Sequence, residues 1–216
     1  PRPPIGLVVL GVILAVAATH PAWAVDYGDV KEFSKEELVA GIHRDVAKVD
    51  KSIIVTKELI DKARTRPYLP DLQFRMAELY VEKSRLIFFL ALERDGQGTR
   101  VAVAPEARLL KEKAISIYET ILQGFPRFHD GDKVLFFEAH EYRELGKYQE
   151  MRRVYQRLID TYPQSQYRHQ ARLVLGDHHF DAGELEEAEE HYLRILQEDE
   201  TFAHQTARYK LAWIRI

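Results

Sequence analysis

The sequence predicts an all-α protein, a helix–turn–helix solenoid, from three observations. Tyr118, Tyr155 and Tyr192 stand at equal intervals of 37 residues, each followed three residues later by an aliphatic side chain, Ile121, Leu158 and Ile195. Gly146 and Gly183 repeat that interval, at places where one helical pattern stops and the next begins. Elsewhere apolar side chains recur at helical spacing, as in Leu38, Ile42, Val46, Val49 and Ile53. A fixed period of this length marks stacked supersecondary units, and such a stack offers an extended surface rather than an enclosed pocket, which favours binding over catalysis.

The chain opens on what reads as a secretory signal peptide over residues 1–24. Ile5 to Ala18 is an unbroken run of apolar or small residues, and Ala22-Trp23-Ala24 supplies a small-x-small pattern, so cleavage is expected after Ala24. The run counts 14 residues, short of the roughly 20 that a helix needs to span a bilayer. An exported, periplasmic protein is expected, meeting a membrane only through the signal segment while it is uncleaved. The sequence holds no cysteine, which rules out a lipid-bearing cysteine and disulfides alike and leaves apolar packing to hold the fold.

Residues 25–66 form an N-terminal helical segment. Ser34 followed by Glu36-Glu37 is an N-cap with first-turn acids, and the apolar pattern running to about Ala63 fits one long helix or two broken near Asp50. Pro67 and Pro70 end it. Asp71 is expected to cap the next helix, which carries Leu72, Met76, Leu79, Tyr80 and the run Leu86 to Leu90. Asp95-Gly96-Gln97-Gly98-Thr99 reads as a loop and Pro105 opens the following helix, so 67–131 is a helix pair with an enlarged connection. Residues 132–168 hold a tighter pair that turns at Leu145-Gly146-Lys147-Tyr148, and 169–204 another that turns at Gly183. At both turns glycine supplies the left-handed C-cap of a sharp helix reversal. Residues 205–216 read as the first helix of a further repeat. Their apolar Leu211, Trp213, Ile214 and Ile216 have no second helix to cover them. The expectation is a fragment of a longer protein, or else a second chain covering that end.

Leu145-Gly146-x-Tyr148-x-x-Met151-x-x-x-Tyr155-x-x-Leu158 and Ala182-Gly183-x-Leu185-x-x-Ala188-x-x-x-Tyr192-x-x-Ile195 resemble tetratricopeptide repeats. The family's small first-helix residue stands here as Ala139 and Gly176, its first-helix aromatic as Tyr142 and His179, and its terminal proline as Pro126 and Pro163; Ala77 and Tyr80 fit the same slots earlier. The departures are a period of 37 residues against the family's ~34, Met151 for alanine and Glu200 for proline. The resemblance covers about Asp71 to Ile216. It implies first helices lining a concave groove that takes protein partners. The stretch from Pro67 to Ser84 further resembles periplasmic repeat proteins of predatory and gliding bacteria, which implies a part in a motility or envelope-spanning complex.

Groove-facing positions implied by the resemblance are Asp71, Phe74, Glu78 and Val81; Lys133, Phe136, His140 and Arg143; Gln170, Leu173, Asp177 and Phe180; and Thr206, Tyr209, Trp213 and Ile216. Of these, Phe74, Glu78, Lys133, Phe136, His140, Arg143, Gln170, Asp177, Phe180, Tyr209 and Trp213 are the candidate partner-binding residues. For Phe74 and Phe136, packing between helices is an equal alternative. Where the family's carboxylate clamp has lysine and asparagine, this chain has Phe136, His140, Leu173 and Asp177, which speaks against capture of a chaperone tail.

Charge excludes other classes. A net charge of −3, from 31 basic and 34 acidic side chains of interspersed sign, is no footprint for nucleic acid, and Arg152, Arg153 and Arg157 read as a solvated helix face. His178 and His179, flanked by Asp177 and Asp181, are adjacent in a helix and point about 100° apart, a poor arrangement for sharing a metal ion. No nucleophile motif, phosphate-binding glycine loop or HExxH pattern is present, so no catalytic residue, cofactor or small-molecule substrate is assigned. The reading is a non-enzymatic periplasmic scaffold or adaptor in a bacterial envelope complex, with gliding motility the narrower form. The alternatives are a regulatory N-terminal module of a longer periplasmic enzyme and an outer-membrane assembly partner.

Overall fold

The computed structural model describes residues 34–95, 104–197 and 202–215. The signal segment and the Gly96–Gly98 loop expected from the sequence lie outside the described residues. Two compact units are distinguished, residues 1–38 and 39–216. In the first, the described part is a capping box: the Ser34 hydroxyl accepts from the Glu37 amide (3.1 Å), and the Glu37 carboxylate accepts from the Ser34 amide (3.0 Å).

Among the described residues there are eight helices and no strand: α1 Lys35–Lys62, α2 Leu69–Asp95, α3 Pro105–Gly124, α4 Gly131–Glu144, α5 Tyr148–Thr161, α6 Arg168–Ala182, α7 Leu185–Leu196 and α8 Phe202–Ile214. This is the all-α, tetratricopeptide-like helical repeat fold that the sequence predicts. α1 runs unbroken through Asp50, whose carboxylate accepts from Lys83 of α2 (2.8 Å). α2 begins two residues before Asp71. Pro70 sits buried in its first turn, where amides lack helical partners and a missing N–H costs nothing, so this proline opens a helix instead of ending one.

The repeat is visible in individual backbone bonds. The Phe125 amide donates to Ile121, Phe128 to Phe125 and Gly131 to Phe128; the equivalent donations, 37 residues on, are Tyr162 to Leu158, Ser165 to Tyr162 and Arg168 to Ser165. The helix reversals repeat as well. Gly146 (φ 71°) donates to Arg143 and Lys147 to Tyr142, while Gly183 (φ 79°) donates to Phe180 and Glu184 to His179. These paired bonds form a Schellman motif, which requires the left-handed backbone that glycine adopts without a Cβ clash.

Three core clusters follow one another along the stack. The first joins Phe74, Ala77 and Val81 of α2 to Tyr118 and Ile121 of α3 and Val134 of α4. The second joins Ile115 of α3 to Ala139, Tyr155 and Leu158 in α4 and α5, and to Val174 and Leu175 of α6. The third joins Leu173 of α6 to Tyr192 and Ile195 of α7 and Ala207 and Leu211 of α8. Each cluster includes side chains of the next pair's first helix, so neighbouring pairs share a core.

Charge enters this core where α3 meets α4. Lys111 Nζ lies 2.7 Å from Glu141 Oε2, with the Glu141 side chain 0% exposed. Glu138, 4% exposed, has an Oε2 without a hydrogen-bond partner among the described residues. Burial, then the neighbouring Glu119 carboxylate, push its carboxyl up to about 7, against the pull of Arg157 and Arg153.

Tyr155→Ala empties a fully buried aromatic site and should cost ~3 to 5 kcal/mol on urea unfolding; a loss below ~1 kcal/mol would contradict the packing. Glu138 has a folded pKa raised above its unfolded 4.5, so its protonated form stabilises the fold at low pH and that contribution is lost as pH rises through about 7. Glu138→Gln should therefore gain on wild type between pH 5 and pH 8, by roughly 2 to 3 kcal/mol in unfolding free energy, with no gain if the carboxylate is solvated.

Candidate functional site

The candidate surface is carried by the first helix of each pair, α2, α4 and α6, and by α8. Their helical period buries one face against the second helices and leaves the other for solvent or a partner. The structure divides the sequence-derived residues into two groups.

Some are committed to packing. Phe74 is 5% exposed, its ring 5.7 Å from that of Tyr118 and 6.0 Å from that of Phe137, with Lys133 Nζ over it at 4.5 Å. Phe74 is thus a core residue and not a partner contact, and Lys133 spends its charge on that ring. Val81 and Leu173 are likewise buried, because they face the second helix of their own or the neighbouring pair. Phe136 is half-buried and stacks on Tyr167 at 4.7 Å, with Tyr155 5.9 Å away; it clasps α4 to the turn before α6. Both phenylalanines pack between helices, Phe74 buried and Phe136 half-buried.

Others stand on the surface. Arg143 and Gln170 are exposed; Glu78, beside Arg75 (3.3 Å), and His140 are half-buried, and burial lowers the His140 imidazole pKa. Asp177 accepts from the Tyr192 hydroxyl (2.8 Å) and meets Lys210 Nζ (3.1 Å), which also lies 4.8 Å over the half-buried Phe180 ring. Asp177, Phe180 and Lys210 therefore join α6 to α8. Beyond them Tyr209 and Trp213 are 61% and 55% exposed, with ring centroids 6.1 Å apart. Asp71 is exposed and Thr206 half-buried, while Ile216 lies outside the described residues.

Arg143 and Asp177 share a cavity of about 390 Å³ between α4, α5 and α6, lined also by Glu144, Tyr148, Met151, Val174, His178 and Asp181. Its wall is the Tyr148 ring stacked on His178 at 5.4 Å. Burial, then Arg152 and His179, hold the His178 pKa below its ordinary value. The cavity combines an apolar floor from Met151 and Val174 with charges of both signs at its rim. That mixture suits an extended polypeptide, whose backbone and alternating side chains need both kinds of contact.

Sequence reasoning missed the pairing of His179 on α6 with His191 on the second helix α7. His179, assigned to an aromatic packing slot, stacks on His191 at 5.5 Å, and its Nδ1 is 2.6 Å from a Glu184 carboxylate oxygen. Their separation in sequence hid this, although the recurrence of Gly183 places α7 back against α6. Among the described residues no three metal-ligating side chains converge, at His178 and His179 or elsewhere. No described helix is long and apolar enough to cross a membrane.

Residues 138–201 match the tetratricopeptide repeat family, a stretch that takes in the end of α4 and all of α5, α6 and α7. No curated protein matches the chain. Repeats of this kind generally mediate protein–protein interaction, and the paired helices within the matched stretch have a tetratricopeptide-like fold.

Proposed function

We propose that this chain is a non-enzymatic periplasmic adaptor that binds an extended protein segment across α4, α6 and α8, within a bacterial envelope complex such as a motility assembly. One observation carries the reading: successive first helices present unburied Arg143, Gln170, Asp177, Phe180, Tyr209 and Trp213, with the α4–α6 cavity between two of the helices. Exposed aromatics beside arginine are the side chains that dominate binding energy in protein interfaces. The apolar run at Ile5 to Ala18 with Ala22-Trp23-Ala24 supports export, and the resemblance of Pro67 to Ser84 to repeat proteins of gliding and predatory bacteria supports the envelope assignment.

Phe74 and Phe136 serve the core, so a test must spare them. Photocrosslinkers placed at Arg143, Gln170 and Tyr209 of the full chain in the bacterial envelope should trap one common partner, and a crosslinker at Glu187 on α7 should not. Arg143→Ala with Tyr209→Ala and Trp213→Ala should weaken that partner at least tenfold, about 1.4 kcal/mol or more. Equal trapping from Glu187, or unchanged affinity in the triple variant, would remove the surface assignment. N-terminal sequencing of the exported protein should begin at Val25; material confined to the cytoplasm would remove the location.

A further inference from the structure

A second cavity, of about 380 Å³, lies between α5, α6 and α7 and is lined by Gln149, Arg152, Arg153, Gln156, Leu175, His179 and His191. The four α5 residues stand at i, i+3, i+4 and i+7, the spacing that brings side chains onto one helix face. Its polar lining is two guanidinium groups, two carboxamides and two imidazoles, with no carboxylate among the lining residues. Among the described residues neither arginine is hydrogen-bonded to a carboxylate, and His191 Nδ1 is buried without a hydrogen-bond partner.

We propose that this cavity is a binding site for an oxyanion of the phosphate or carboxylate class. Arginine's planar fork matches the paired oxygens of both, and glutamine amides and imidazole N–H groups supply further donors. The local field agrees. Burial, then His179 and Arg172, push the His191 imidazole down to about 4, against the pull of Glu190. Two acids stand at the edges: Glu184, bonded to His179 and within the field of Arg152, and Glu138, buried beside Arg153 and Arg157. The site is separate from the α4, α6 and α8 surface, so its failure leaves the adaptor reading standing.

Inorganic phosphate titrated into the full chain at constant ionic strength should give saturable shifts in the His179 and His191 ring signals, with those of His43 and His129 unmoved. Arg152→Gln with Arg153→Gln should weaken binding at least tenfold while far-UV circular dichroism stays unchanged. Gln149→Glu, an exposed change that puts a carboxylate at the cavity, should weaken it independently of any folding defect in the double variant. A capped tetraglutamate peptide distinguishes the source: tighter binding than phosphate assigns the site to an acidic protein segment, weaker binding to a free phosphate-type ion. Uniform, non-saturating shifts across all histidines, or equal affinity in all variants, would overturn the proposal.

Discussion

The fold depends on the contact between a buried tyrosine of each second helix and the small residue opposite it on the first. Tyr192 shows the constraint most directly. A Cβ built on Gly176 would stand 2.7 Å from the tyrosine ring, so the two helices approach closer than any side-chain-bearing residue would allow. Tyr155 shares its cluster with Ala139 and Tyr118 with Ala77, and all five of these side chains other than glycine are essentially inaccessible. A large flat ring laid on a small residue buries much apolar area per contact and fixes the separation of the helix axes. In the two later pairs the tyrosine and its small partner both recur at 37 residues, Tyr155 with Ala139 and Tyr192 with Gly176, so the surface positions of α4 and α6 fall into register.

Charge inside the stack refines this packing. Lys111 and Glu141 meet at 2.7 Å across α3 and α4, which belong to successive pairs. Desolvating both groups offsets most of their attraction, so the pair adds little net stability. Its effect is on register: sliding α4 along α3 by one turn would strand two buried charges, and that costs far more than sliding one aliphatic past another. Tyr142, whose hydroxyl donates to Glu119 of α3 at 2.9 Å, ties the same two helices at a second point.

The sequence revealed what the period controls and concealed what the third dimension controls. The tyrosines, the two glycine turns and the helix pairs from Gly131 onward were legible because each is a local signal that repeats. Pro70 was misread because proline is a breaker everywhere in a helix except its first turn, and only the onset of α2 at Leu69 tells which applies. Phe74, Val81 and Leu173 were placed in the groove by position within the repeat, yet they are buried because their helices lean against two neighbours instead of one. The aromatic clasp of Phe136 on Tyr167 joins side chains 31 residues apart that no repeat spacing relates. Arg152, Arg153, His179 and His191 belong to three different helices, and no spacing rule in one helix shows that they meet.

A repeat architecture separates structure from recognition more cleanly than a globular enzyme does. Residues facing the neighbouring helices are held to tyrosine, alanine, glycine and leucine by packing, whereas those facing outward can vary in charge from one pair to the next without disturbing it. In this chain the variation is ordered. The first helices carry mixed charge with exposed aromatics at Tyr209 and Trp213, and the cavity behind α5 is lined by arginine, glutamine and histidine without a carboxylate. If both proposed sites are occupied, the same helix pairs would hold a polypeptide at α4, α6 and α8 and an anion at α5, α6 and α7. The physical requirement is that the α5–α6 junction stay rigid, because Met151 and Val174 floor one cavity while Arg152 and Leu175, their immediate chain neighbours, line the other. Ligands at the two cavities would therefore act on the same two helices, and any coupling between them must pass through that junction.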